Sequence, residues 1–218
     1  MGSTNALGGM LRDVVAKADS ILHRLDEVRE QAVRISRDVV RLSGFSITAL
    51  HQGDLEGARK HLEGCEELTR KLLELTRPYP ELYYSGLVYN AVSEYVEAKL
   101  LYTLVTERRL PDFEELGVYV VPYLQGLADV VGELRRYALE SLRKGRLEEA
   151  WWALDVMELI YTTLRGLDYP DSILPNFRHK VDTARGLVDS TKSLIIDISQ
   201  REELLRAIGS KEAARSKP

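Results

Sequence analysis

The chain has 218 residues, 44% of them hydrophobic and 29% charged, with a formal net charge of −4. That apolar content supports one large folded domain and argues against disorder, while the acidic balance lacks the global basic signature of a nucleic-acid-binding domain, so any basic surface must be local or enclosed in an assembly. The single cysteine, Cys65, excludes an internal disulfide framework and fits a reducing cytoplasm, and no apolar run nears the ~18 residues of a membrane span.

Residues 1–10 carry no basic segment followed by an apolar one, so they are not expected to act as a signal peptide. They are expected as a disordered N-terminus, or a cloning scar ahead of a natural start at Met10. From Leu11 to His51 the apolar positions Val14, Ala18, Ile21, Leu25, Val28, Ala32, Ile35, Val39 and Leu42 alternate steps of four and three. This period predicts a long helix packed lengthwise against partners, with Gly44 as a point of bending. Gly53 stops it and Asp54 caps the next helix, 55–76, which ends at Pro78 and Pro80.

Residues 81–107 predict a central helix, apolar nearly all round. A connection follows, in which Val118-Tyr119-Val120-Val121 is the only plausible strand. Pro122 suits the first turn of a helix running to Lys144, and Gly145 caps its end. Helices over 147–165 and 175–208 follow, and the tail from 209 to 218 is expected to be disordered. Every proline falls at a boundary. The reading is an all-α, single-domain bundle of six to seven helices over residues 11–208.

Glu94 and Glu97 interrupt the apolar central helix. Buried carboxylates are costly unless paired, hydrogen-bonded or bound to metal. Their spacing of three puts them on one helix face, as does the spacing of four between Asp129 and Glu133 in the next helix. Four carboxylates from two facing helices could hold a hard divalent cation such as Mg²⁺ or Mn²⁺. They could equally be paired with Lys99, Arg135 or Arg136, or be solvated. Arg34, Arg37 and Arg41 share one face of the first helix and form either a phosphate-tracking stripe or a solvated one. The four histidines lack zinc-ligand spacing, and His51 is expected to serve the helix end as a cap or dipole partner. Trp151, Trp152 and the tyrosines read as core or subunit contacts, with base stacking as the minor alternative. No glycine-rich phosphate loop appears.

Three segments carry a family resemblance: 34–43, RISRDVVRLS; the tyrosine pair followed by VSEYVEA; and 122–136, PYLQGLADVVGELRR. The chain resembles the translin family over residues 25–199, and more closely its Trax-like branch (translin-associated factor X). The resemblance implies a seven-helix fold, closed homo-oligomers such as octamers, and single-stranded RNA, or DNA, held on the inner surface. In the Trax-like branch the acidic residues matching Glu94, Glu97, Asp129 and Glu133 form the catalytic, metal-binding set of an endoribonuclease. The Arg/His-rich stretch of translin is replaced here by SGLVYN, and the long insertion of animal Trax-like chains is absent, which suggests a minimal archaeal homologue. The resemblance thus implies an Mg²⁺- or Mn²⁺-dependent endoribonuclease; the alternative is a non-catalytic binding oligomer of translin type.

Overall fold

The computed structural model describes the backbone of residues 2–215 and the side chains of residues 5–208. The described residues form seven helices: α1 (Gly2–Gln52), α2 (Leu55–Thr76), α3 (Pro80–Tyr83), α4 (Gly86–Glu107), α5 (Val120–Arg143), α6 (Leu147–Leu164) and α7 (Phe177–Arg215). None of the described residues is in a strand, and none of their helices is long and apolar enough to cross a membrane. The run from Val118 to Val121 leads into α5 instead of forming a strand.

Local chemistry sets the boundaries. Gly53 has φ +88°, a left-handed conformation that glycine takes without a Cβ penalty, and Asp54 accepts a 2.9 Å bond from the Gly57 amide to cap α2. Gly145, at φ +69°, makes the same kind of stop between α5 and α6. The expected central helix is divided in two. Ser85 is extended at φ −73°, ψ 155°, so Pro80–Tyr83 forms a single turn before α4 begins. Ser85 Oγ donates to Leu82 O at 2.6 Å and holds that break. Gly44 lies inside a continuous α1.

The two long helices extend further than their packing. α1 begins at Gly2, not Leu11, and α7 continues through Arg215, past Gly209; Met1 and residues 216–218 lie outside the described residues. Along α1 the apolar seam is buried only in its second half. Ala32 and Val39 are fully buried, while Val14 is 66% and Ile21 62% exposed. Backbone hydrogen bonds carry the helix where no tertiary partner lies against it.

α1 pairs with α2, both pack on α4, α4 packs on α5, and α5 carries α6 and α7. α4 is therefore central, and Val88, Val92, Val96, Leu100 and Leu101 on it are fully buried. Burying each such side chain stabilises the fold by roughly 1.5–3 kcal/mol. That gain offsets the cost of placing two carboxylates on the same helix. Gly126 sets how closely α5 approaches α4. A Cβ there would lie 2.6 Å from Ser93 O and 2.7 Å from Val96 Cγ1.

Two substitutions on α5 should therefore have opposite signs in urea unfolding. Gly126→Ala must push a backbone carbonyl aside and should cost about 1–3 kcal/mol. Gly132→Ala meets only Leu187 Cδ1 at 3.9 Å, so the better helix propensity should stabilise by up to about 1 kcal/mol. Equal effects would refute the close-approach account.

Candidate active site

The α4–α5 seam carries Glu94 and Glu97 from one helix and Asp129 and Glu133 from the other, all half-buried. Burial is the largest cause raising the Glu97 carboxyl, to about 8, followed by the charges of Asp129, Glu94 and Glu133; Lys180 opposes the shift. Glu94 is also raised, by burial first and then by Asp129. The four predicted residues thus share one electrostatic neighbourhood.

They do not form a closed ligand set. Among the described residues, no group of three His, Cys, Asp or Glu side chains is placed to hold a metal ion. Coulombic coupling reaches further than a coordination bond, so coupled carboxylates need not converge on one point. Two of them are engaged elsewhere. Lys180 Nζ on α7 donates to Asp129 Oδ2, and His51 Nε2 on α1 lies 2.6 Å from Glu133 Oε2. Glu97 has neither a hydrogen bond nor an ion pair to any described residue, which leaves a half-buried acid without compensation.

The expected salt-bridge partners are mostly occupied with other groups. Lys99 pairs with Glu66 at 2.9 Å, and Arg135 Nε donates to Thr191 Oγ1 at 3.2 Å. Only Arg136 reaches the site, 3.7 Å from Glu133. Lys180 is positioned from α5 itself: Gln125 Nε2 donates to Pro175 O at 2.6 Å, pinning the chain just before α7. Asp129 lies one helical turn on from Gln125.

Sequence reasoning missed Lys180 and misassigned His51. His51 is 6% exposed, and its ring turns sideways onto Glu133 instead of serving the helix end. Its Nδ1 is buried without a partner. The partners are 51 residues apart for Lys180 and 82 for His51, so no local spacing reveals them. One signal was available for His51: Arg37, Gly44 and His51 are seven residues apart and share a helix face. Arg34 and Arg37 are exposed and have no ion pair among the described residues, while Arg41 is paired with Asp38 at 2.7 Å. With exposed Gly44 and Thr48 between them, the arginines and His51 make a stripe ending at Glu133. The tryptophans serve intrachain packing. Trp151 Nε1 donates to Ser199 Oγ at 3.2 Å, and the Arg108 guanidinium lies 3.5 Å over the Trp152 ring.

The profile of the translin family matches residues 27–201, most of the chain. The chain belongs to the translin family. This translin-family chain is 33% identical over 181 residues to an uncharacterized protein of Methanocaldococcus jannaschii, covering 82% of this chain and 80% of that one. It is similar to AfC3PO in a complex with duplex RNA, at 34% identity and TM-score 0.80 over 86% of this chain and 97% of that one. It is also similar to apo-NeC3PO, at 30% identity and TM-score 0.76 over 84% and 95%. The all-helical translin fold is thereby shown from sequence and from structure.

The Glu97 shift makes a stability prediction. From its ordinary 4.5 up to about 8, the folded state holds a proton that the unfolded state has released. Stability of the metal-free protein should therefore fall as pH rises through that window and level off above it. Glu97→Gln is neutral throughout and should flatten the slope of Tm against pH and raise Tm above pH 8. An unchanged slope would show that Glu97 titrates normally.

Proposed function

We propose that this chain is a Trax-like endoribonuclease of archaeal type that hydrolyses single-stranded RNA with Mg²⁺ or Mn²⁺. The observation that carries this reading is the uncompensated Glu97 beside Glu94, Asp129 and Glu133. Four acidic groups against the Lys180 ammonium and the Arg136 guanidinium leave an excess of acid, and their donors are all hard oxygens, which suits these cations. The residues therefore fit the metal by donor chemistry and charge, although Asp129 and Glu133 would have to exchange partners to complete the ligand set.

Glu94, Glu97, Asp129 and Glu133 are the residues that would hold the cation, and its chemistry there would be Lewis-acid activation of a phosphodiester and of water. In the structure His51 occupies Oε2 of Glu133; with that pairing kept, Glu133 would use Oε1 to accept a proton from the attacking water instead of ligating the cation directly. His51 itself is fixed by burial and orients that carboxylate. Arg34, Arg37 and Arg41 lead along α1 to the same point, so the basic stripe would track the backbone of the bound strand. AfC3PO, with duplex RNA in its complex, supports RNA as the ligand class, with DNA as a second strand to compare. The exposed apolar residues Leu11, Val14 and Ile21 of α1 and Leu204, Leu205 and Ile208 of α7 would be covered by self-association into a homo-oligomer, an octamer by resemblance, in the cytoplasm.

Cleavage of a fluorescent single-stranded RNA should require Mg²⁺ or Mn²⁺, stop with EDTA, and be lost in Glu97→Gln and Asp129→Asn while sedimentation shows an unchanged assembly. Mn²⁺ should also raise Tm at pH 8 in wild type and not in Glu97→Gln. RNA binding without cutting under any metal would favour the non-catalytic translin-type reading, to which the engaged Asp129 and Glu133 already lend some weight. Replacing Arg37 by Ala should weaken RNA binding and reduce the magnitude of the salt slope by about 0.7 for a single strand. An unchanged salt slope would remove the stripe from the interface.

A further inference from the structure

Three tyrosines meet where α3, α4 and α5 come together. Tyr83 closes α3, Tyr84 follows it, and Tyr119 precedes α5. Their ring centroids are 4.9 Å apart for Tyr83 and Tyr84, 5.3 Å for Tyr83 and Tyr119, and 5.7 Å for Tyr84 and Tyr119. Tyr83 and Tyr119 lie half-buried, and Tyr119 Oη donates to Tyr83 O at 3.4 Å. Tyr84 is different. It stands nearly perpendicular to both neighbours, at 86° and 79°, yet remains 69% exposed.

An aromatic ring held against two others loses little further freedom when something stacks on its exposed surface. Packing alone does not account for a large ring fixed in this way and left open to solvent. Tyr89, on the first turns of α4, lies between the cluster and the carboxylates in sequence. Tyr119 shares its electrostatic surroundings with Tyr89, and Tyr89 shares those of Asp129. Along α4, Tyr89 and Glu94 are five residues apart, about 7.5 Å of helix rise. Arg77 is exposed at the end of α2, close enough to Tyr83 to act on its phenol, and supplies a cation near the cluster.

We propose that Tyr84, braced by Tyr83 and Tyr119, is a stacking platform for an unpaired nucleobase of the RNA strand whose phosphate lies at the carboxylates. The inference rests on the ribonuclease reading and extends it: the arginine stripe of α1 handles phosphates on one side of the site, and the tyrosines hold a base on the other. A π face accepts any base, so the platform favours a single-stranded or frayed segment over continuous duplex without reading its sequence. It fixes where the strand sits relative to the metal-binding carboxylates, which makes Tyr84 a positioning residue.

The test uses the full chain carrying Glu97→Gln, with a short single-stranded RNA in which one adenine is replaced by fluorescent 2-aminopurine. Binding followed by the anisotropy of a terminal dye, and 2-aminopurine quenching followed separately, report affinity and stacking. In the Tyr84-intact protein one 2-aminopurine position should be quenched, and blunt duplex should show no added quenching. Tyr84→Ala should remove the quench and weaken binding roughly 5- to 150-fold, whereas Tyr84→Phe and Tyr84→Trp should retain both. Equal affinity and equal quenching in Tyr84→Ala would overturn the platform while leaving the ribonuclease reading intact. A change in assembly mass on sedimentation of Tyr84→Ala would make the cluster a subunit contact and also overturn it. If the Tyr84-intact protein binds no RNA at all, both readings fall.

Discussion

The arrangement depends on the close approach of α4 and α5 at Gly126. With no side chain at that position, the backbone of Ser93 and the side chain of Val96 come within distances that a Cβ would not tolerate. The helices can then share a seam tight enough to half-bury carboxylates from both. Low local polarity makes that seam expensive for charge, and the rest of the site is a response to it. Lys180 reaches in from α7 to Asp129, and His51 reaches in from α1 to Glu133. Glu97 receives no hydrogen bond or ion pair from a described residue, and its carboxyl is held far above its ordinary range. A fold that tolerates this imbalance has kept a half-buried acid in the electrostatic neighbourhood of three others, which is the pattern expected where a protein exchanges some stability for a binding site.

The apolar helix makes that exchange tolerable. α4 is surrounded by α1, α2 and α5, and its fully buried aliphatic residues supply stabilisation that does not depend on the acids. The supporting contacts also come from separate parts of the chain. Gln125 tethers the start of α7, so α5 positions both its own Asp129 and the lysine that pairs with it. Around the seam the polar surface is sorted by type, with guanidinium groups along α1 and phenols at the α3–α5 corner. An acidic chain can therefore present a local surface suited to a polyanion, because net charge averages over faces that never meet the same ligand.

Much of this was legible in the residues. Helix number and most boundaries follow from apolar periodicity, from prolines confined to the connections, and from Gly53 and Gly145 at left-handed positions. The carboxylate pairs were visible because Glu94 and Glu97 stand in an apolar helix, where an acid is conspicuous. The misreadings have local causes. The break at Ser85 carries no proline, and its decisive bond to Leu82 is short-range but irregular. Val118 to Val121 has strand-forming side chains and no partner strand among the described residues. The first turns of α1 and the last of α7 stay helical because helix hydrogen bonds are local and do not require a packed neighbour.

What the sequence by itself determined is the content of each element: its period, its caps, and which faces carry acid, base or aromatic groups. Those properties arise from interactions within a few residues of one another. Only the tertiary structure decided which faces meet. It placed His51 on Glu133 and Lys180 on Asp129, left Arg34 and Arg37 without an ion pair among the described residues, and gathered Tyr83, Tyr84 and Tyr119 into one cluster. These partners are separated by tens of residues along the chain, and their meeting depends on how closely helices pack, a distance set here by the missing side chain of Gly126.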